Sequence, residues 1–161
     1  MNRKILAALV VCGSVGALSL TSSATATPGT PPPNNPAAGP SVIGVLDGPS
    51  KAKNDGIELK VKRDTAVRVF TLTYPVGSTS GWHSHPGIVV ATVEAGTVRR
   101  QIGCGADTFS VGHTFTEADP HQVTNVGTTP AVLRITQLFP ASVALTDLRI
   151  DQAAPNCRVG S

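Results

Sequence analysis

The chain has 161 residues, with 13 basic and 10 acidic side chains, a formal net charge of +3 and a pI near 9.0. That length is the size of one domain. Beyond Arg3-Lys4 the basic residues adjoin only at Lys62-Arg63 and Arg99-Arg100, with no aromatic residues interleaved, which excludes a stacking and phosphate-binding platform for nucleic acid.

The first 26 residues read as a secretion signal. Asn2-Arg3-Lys4 is a basic start, residues 5–20 are small or apolar and uncharged, and Ala24-Thr25-Ala26 offers the small-x-small pattern of a cleavage site. The apolar run, broken by Gly13, Ser14 and Gly16, is shorter than the roughly 20 residues of a membrane span. No stable membrane anchor is therefore expected after cleavage. Loss of Arg3 and Lys4 leaves 11 basic against 10 acidic residues, a net charge of about +1. Residues 27–41 are expected to be a disordered linker, because six prolines lie between Thr27 and Pro40 and almost nothing there is apolar beyond alanine.

Residues 42–158 are the expected folded domain. Residues 41–46 form a first candidate strand. Ile57, Leu59 and Val61 alternate with Glu58, Lys60 and Lys62, the period-two pattern of a half-buried strand. Residues 67–74 are rich in β-branched and aromatic side chains, and Pro75-Val76-Gly77-Ser78 marks a turn. Residues 87–94 are strongly apolar, and Ala95-Gly96 turns them into a strand at 97–102. Shorter strands are expected at 114–117 and 122–126, and a last clear one at 131–139 after the turn Gly127-Thr128-Thr129-Pro130. Residues 145–150 are ambiguous. No segment combines helical periodicity with caps. Many short strands separated by turn residues predict an all-β barrel or sandwich in a single domain.

Export reduces three cysteines to two, Cys104 and Cys157. In an oxidising compartment, secreted or cell-envelope, two remaining thiols are expected to pair. Nucleophilic and nucleotide chemistry leave no trace: there is no G-x-S-x-G elbow, no P-loop and no dinucleotide-binding glycine pattern.

The chemistry-bearing residues are histidines. His83 and His85 are two apart and share a face if they lie on one strand. Neutral imidazoles on one face suit a divalent transition metal such as Fe, Mn, Zn, Ni or Cu. The surrounding run, Gly77-x5-His83-x-His85 with Gly96 further on, and the later His121-x3-Asn125, resemble the two motifs of the cupin superfamily, G-x5-H-x-H-x(3,4)-E-x6-G and G-x5-P-x-G-x2-H-x3-N. The resemblance covers about residues 57–140. It implies a jelly-roll β-barrel with a metal held by His83, His85 and His121. It also allows a homodimer joined through sheet edges.

The sequence departs from these motifs. The glutamate slot falls on Val89, and Val90 and Ala91 beside it cannot ligate. Glu94 has the opposite strand parity and is expected to face solvent. In the second motif Ser110, Thr116 and Ala118 replace Gly, Pro and Gly. Three neutral histidines would leave the ion's charge uncompensated, with water, hydroxide or an anionic substrate completing its shell.

Asn125 and Gln137 are candidates for supporting the ligands, and Trp82 and Val89 for lining the pocket. His113 is expected in solvent. Glu117 and Asp119 flank the approach to His121 and read first as loop-solubilising residues, with the pocket mouth as the alternative. No general acid or base is evident among the expected interior positions. The leading expectation is a secreted barrel with a three-histidine metal site acting on a small-molecule substrate, of the dioxygenase kind or a related enzyme. The alternative is a non-catalytic module that binds a sugar or organic acid.

Overall fold

A computed structural model describes residues 37–157, residue 39 apart. The expected signal segment and most of the proline-rich stretch lie outside these residues. In chain order the strands are β1 (Ala37–Ala38), β2 (Val42–Leu46), β3 (Ser50–Asn54), β4 (Ile57–Val61), β5 (Thr65–Tyr74), β6 (His83–Ser84), β7 (Ile88–Ala95), β8 (Thr97–Ile102), β9 (Gly105–Ser110), β10 (Thr114–Glu117), β11 (His121–Asn125), β12 (Ala131–Pro140) and β13 (Ile150–Asp151). Among the described residues one 3₁₀ turn spans Leu145–Asp147. Among the described residues no helix is long and apolar enough to cross a membrane.

Two antiparallel sheets form a jelly roll. One runs β5-β12-β7-β10, with β1 and β2 both pairing along the free edge of β5; the other runs β13-β6-β11-β8-β9. Alternation decides what lies between them. Phe70 and Tyr74 on β5, Val89, Ala91 and Val93 on β7, and Leu133 and Ile135 on β12 face Val98 on β8 and Val123 on β11 in one buried cluster. Gly96 makes the β7–β8 turn at φ +73°, and a Cβ there would come within 2.7 Å of the Ala131 Cα. Only glycine combines that backbone with that approach.

Ala37 and Ala38, within the expected linker, pair with Thr73 and Leu72 of β5. Two expectations need correction. The alternation of Ile57, Leu59 and Val61 does not mark a half-buried strand. It belongs to a separate β3–β4 hairpin, and Ile57 and Leu59 are exposed. The cause is the two-residue Asp55-Gly56 turn, both residues at positive φ, which closes a local hairpin outside both sheets. Finally, β9 was not expected. Its Gly-Ala-Asp start is a weak strand former, and pairing with β8 holds it at the sheet edge.

The C-terminal segment is part of the barrel wall. In β13, Asp151 pairs with His83 of β6, and Cys157 is disulfide-bonded to Cys104 at the β8–β9 turn. The bond closes a separation of 53 residues, worth about 4 kcal/mol in the chain-entropy account. Replacing both cysteines by serine should lower the unfolding free energy by about 2–4 kcal/mol, read from urea denaturation. An unchanged midpoint would show that the tail docks without its tether.

Candidate metal centre

The three histidines come together. His83 on β6 lies directly opposite His121 on β11 in the strand register, and His85 follows just past the end of β6. Ring centroids are 4.4 Å apart for His83 and His121, 4.8 Å for His83 and His85, and 5.3 Å for His85 and His121. One nitrogen from each ring falls within a group spanning 4.8 Å or less. Pro86 and Gly87 carry the chain from the ligand strand to β7. A side chain at Gly87 (φ +141°) would collide with the Leu138 carbonyl oxygen, so glycine lets the wall close behind the histidines.

The tautomers follow from the backbone. His83 Nδ1 lies 3.0 Å from the Gly81 carbonyl oxygen, His85 Nδ1 2.7 Å from that of Leu148, and His121 Nδ1 2.7 Å from that of Asp119. A carbonyl only accepts, so each Nδ1 carries the proton and donates it, and each Nε2 is left to ligate. Tying the distal nitrogen in this way is how proteins orient metal-binding imidazoles.

The opposite wall carries a polar row. Glu117 on β10 is paired with Val89 on β7, Val89 with Gln137 on β12, and Gln137 with Arg68 on β5. Directly paired residues share a face, and this row faces the barrel interior. A cavity of about 230 Å³ opens beside it, with His83, His85, Gln137, Arg68, Tyr74 and Arg149 among its walls. A smaller inner cavity of about 50 Å³ reaches Val89 and Glu117.

Glu117 is the residue that sequence reasoning misjudged. It is 5% exposed, not a loop-solubilising group. Its Oε2 is 3.2 Å from His121 Nε2 and 3.8 Å from His85 Nε2. His121 Nε2 nevertheless makes no hydrogen bond: the carboxylate is close, but the bond geometry fails. The interior therefore does hold an acid–base group. The signal lay in parity, since Phe115 and Glu117 alternate on β10 and Phe115 is core.

Charge state follows burial. Burial, then repulsion from His121, pushes His83 down to about 3. Burial also lowers His85, against the Leu148 carbonyl and the Glu117 charge. Burial works against protonation of His121 too, but Glu117 outweighs it, and the net pKa lies above the ordinary imidazole value.

The remaining candidates divide. Gln137 is 3% exposed and its amide passes 3.5 Å from His85 Nδ1, which the Leu148 carbonyl already engages. Val89 lines the inner cavity. Trp82, adjacent to His83 and of opposite parity, lines a different cavity with Pro120, Ala153 and Pro155. Asn125 shares parity with His121 but touches no histidine. Its amide donates to the carbonyls of Tyr74, Pro75 and Thr129, and its Oδ1 accepts from the Gly127 N–H. It therefore clamps turns at the end of β11. Glu94 pairs with Arg134 at the surface, and His113 is exposed.

No family model matches the chain, and no curated protein is similar to it in sequence. Solved structures of similar fold include an oxalate oxidase (20% identity, TM-score 0.40, 47% of this chain and 46% of that one). A Cupin 2 conserved barrel domain protein from Salinispora arenicola is 17% identical, with TM-score 0.43 over 47% of this chain and 65% of that one. A cupin domain from Bordetella pertussis is 21% identical, with TM-score 0.40 over 65% and 95%. The chain thus spans about half the length of the oxalate oxidase it matches. The strand order of two facing antiparallel sheets, with the three histidines between them, makes this a jelly-roll barrel.

Proposed function

We propose that the barrel is a mononuclear metal site that binds a small anionic, oxygen-bearing molecule. His83, His85 and His121 would hold a divalent transition metal. The observation that carries this reading is the common orientation of the rings: three Nδ1 atoms tied to backbone carbonyls leave three Nε2 atoms for one ion. Such an ion supplies Lewis acidity, or redox chemistry toward dioxygen if it is iron, manganese or copper.

The chain's own residues set what can enter. Arg68 reaches over the Phe70 ring, 4.3 Å from its centroid, and its Nε is buried without a hydrogen-bond partner. A buried donor left unpaired is costly, and an oxyanion in the cavity would satisfy it. Arg149 on the same cavity is held at the rim by the Ser80 carbonyl and by an ion pair with Asp151. Tyr74 and Gln137 add polar contacts, while Phe70, Leu72 and Leu148 keep the remaining wall apolar. The Cys104–Cys157 bond suits an oxidising compartment outside the cytoplasm.

Metal content of the purified protein tests the reading, after growth with iron, manganese and zinc supplied. About one equivalent per chain is expected, lost in His85→Ala. A well-folded wild type without metal would refute the site. Replacing Arg68 by alanine should weaken malonate binding to the metal-loaded protein by about 10- to 100-fold, the worth of a charge-assisted hydrogen bond. Calorimetric titration reads this, and unchanged affinity would move the anion site away from Arg68.

A further inference from the structure

We propose that Glu117 is the fourth protein ligand of this metal, supplying from β10 the carboxylate that Val89 on β7 cannot. The proposal rests on the three-histidine reading above and adds a residue outside the motif positions.

The strand register makes the relocation possible. Glu117 and Val89 are direct antiparallel partners, so their Cβ atoms stand about 4.5–5.5 Å apart on one face. A carboxylate lost at 89 is thus replaced one strand over, at the same height in the barrel and toward the same rings. Both residues line the inner cavity with His83 and His85.

The contact geometry resembles that of shared ligands more than that of a salt bridge. Two donor atoms bound at 2.0–2.2 Å to one ion lie about 3.0–3.5 Å apart. Glu117 Oε2 is 3.2 Å from His121 Nε2. His121 Nε2 is buried and its geometry toward the carboxylate is poor for a hydrogen bond, so an ion held by both atoms suits the contact better than a proton alone. A carboxylate with only 7% of its side chain exposed needs a compensating charge close by, and the nearby Arg100 is shared with Asp107 and the Thr116 carbonyl. A cation among the three Nε2 atoms would meet the need of Glu117 and of the rings together. It would also resolve the charge imbalance of three neutral histidines around a divalent ion. The bound ion then carries a residual charge of about +1, which together with Arg68 suits a small carboxylate anion.

The test uses the full chain, with cobalt(II) as both ligand and probe. Glu117→Gln keeps the shape of the side chain and removes its charge. It should weaken cobalt affinity at least about 100-fold, more than loss of a merely orienting residue, and should shift the cobalt visible absorption bands. The exchange Val89→Glu with Glu117→Val keeps composition and moves the carboxylate across the strand pair. It should recover most of the lost affinity. Wild-type affinity and an unaltered spectrum in Glu117→Gln overturn the proposal, as does a folded exchange variant that binds no better than Glu117→Gln. If His85→Ala abolishes binding while Glu117→Gln does not, only the fourth ligand falls. If the folded wild type takes up no cobalt, the three-histidine reading falls with it.

Discussion

Asn125→Ala is expected to destabilise the domain by about 3–5 kcal/mol and to leave metal affinity unchanged. The side chain is 1% exposed, and its amide serves three carbonyls, at 2.9 Å for Tyr74, 3.2 Å for Pro75 and 2.9 Å for Thr129. Its oxygen accepts the Gly127 N–H at 2.9 Å. Alanine strands these backbone groups in a buried corner where water does not replace the side chain, and each unsatisfied group costs about 1–3 kcal/mol. Asn125→Asp tests the direction of the bonds. It keeps the acceptor for Gly127 but sets a carboxylate oxygen against three carbonyls, so it too should unfold early. Urea denaturation beside a cobalt titration separates the outcomes. An affinity loss at unchanged stability would return Asn125 to the metal site, where sequence reasoning had put it.

Metal should stabilise the fold strongly near neutral pH, and less as the pH drops, because the ion must displace the proton that Glu117 favours on His121. With free metal at about 100 times its Kd, linkage predicts about 2.7 kcal/mol, on the order of 10 °C in the melting midpoint for a domain of this size. The metal-free protein has a built-in weakness to acid. His83 titrates at about 3 when folded and near 6.5 when unfolded. Between those values the unfolded chain binds a proton that the folded chain refuses, so stability falls as pH drops from about 6.5 toward 3. His85 is lowered also and acts in the same direction. His121, raised above its ordinary value, acts oppositely, since its stabilisation is present below about 6.5 and fades as pH rises through its folded value. The large His83 shift makes the metal-free protein sensitive to acid. Melting curves from pH 7 to pH 4, with chelator and with zinc, check this. A midpoint indifferent to both would argue that the three rings are ordinary core histidines.

Much of this was legible in the chain because it depends on neighbours in sequence. The parity of Phe70, Leu72 and Tyr74 and of Leu133, Ile135 and Phe139 points them inward, and Phe70 and Leu133 are core. The two-residue step from His83 to His85 puts both rings on one face, and Gly77, Gly87 and Gly96 sit where the backbone takes positive φ. The same local logic failed for Ile57, Leu59 and Val61: alternation says which side chains share a face, not whether anything covers it. The Asp55-Gly56 turn folds that ribbon onto β3, away from both sheets.

The sequence by itself determined a β-barrel with three imidazoles available to one site, since strand period and motif spacing are local quantities. Only the tertiary structure decided which side chains stand across from them. Glu117 faces the histidines because β10 pairs with β7 in a register that sets it opposite Val89. Asn125 spends its amide on the turns around Tyr74 and Thr129 because the turn ends close over it. Cross-strand register is a property of two segments at once, fixed by which hydrophobic faces meet and how their turns fit, and no periodicity within one segment carries it.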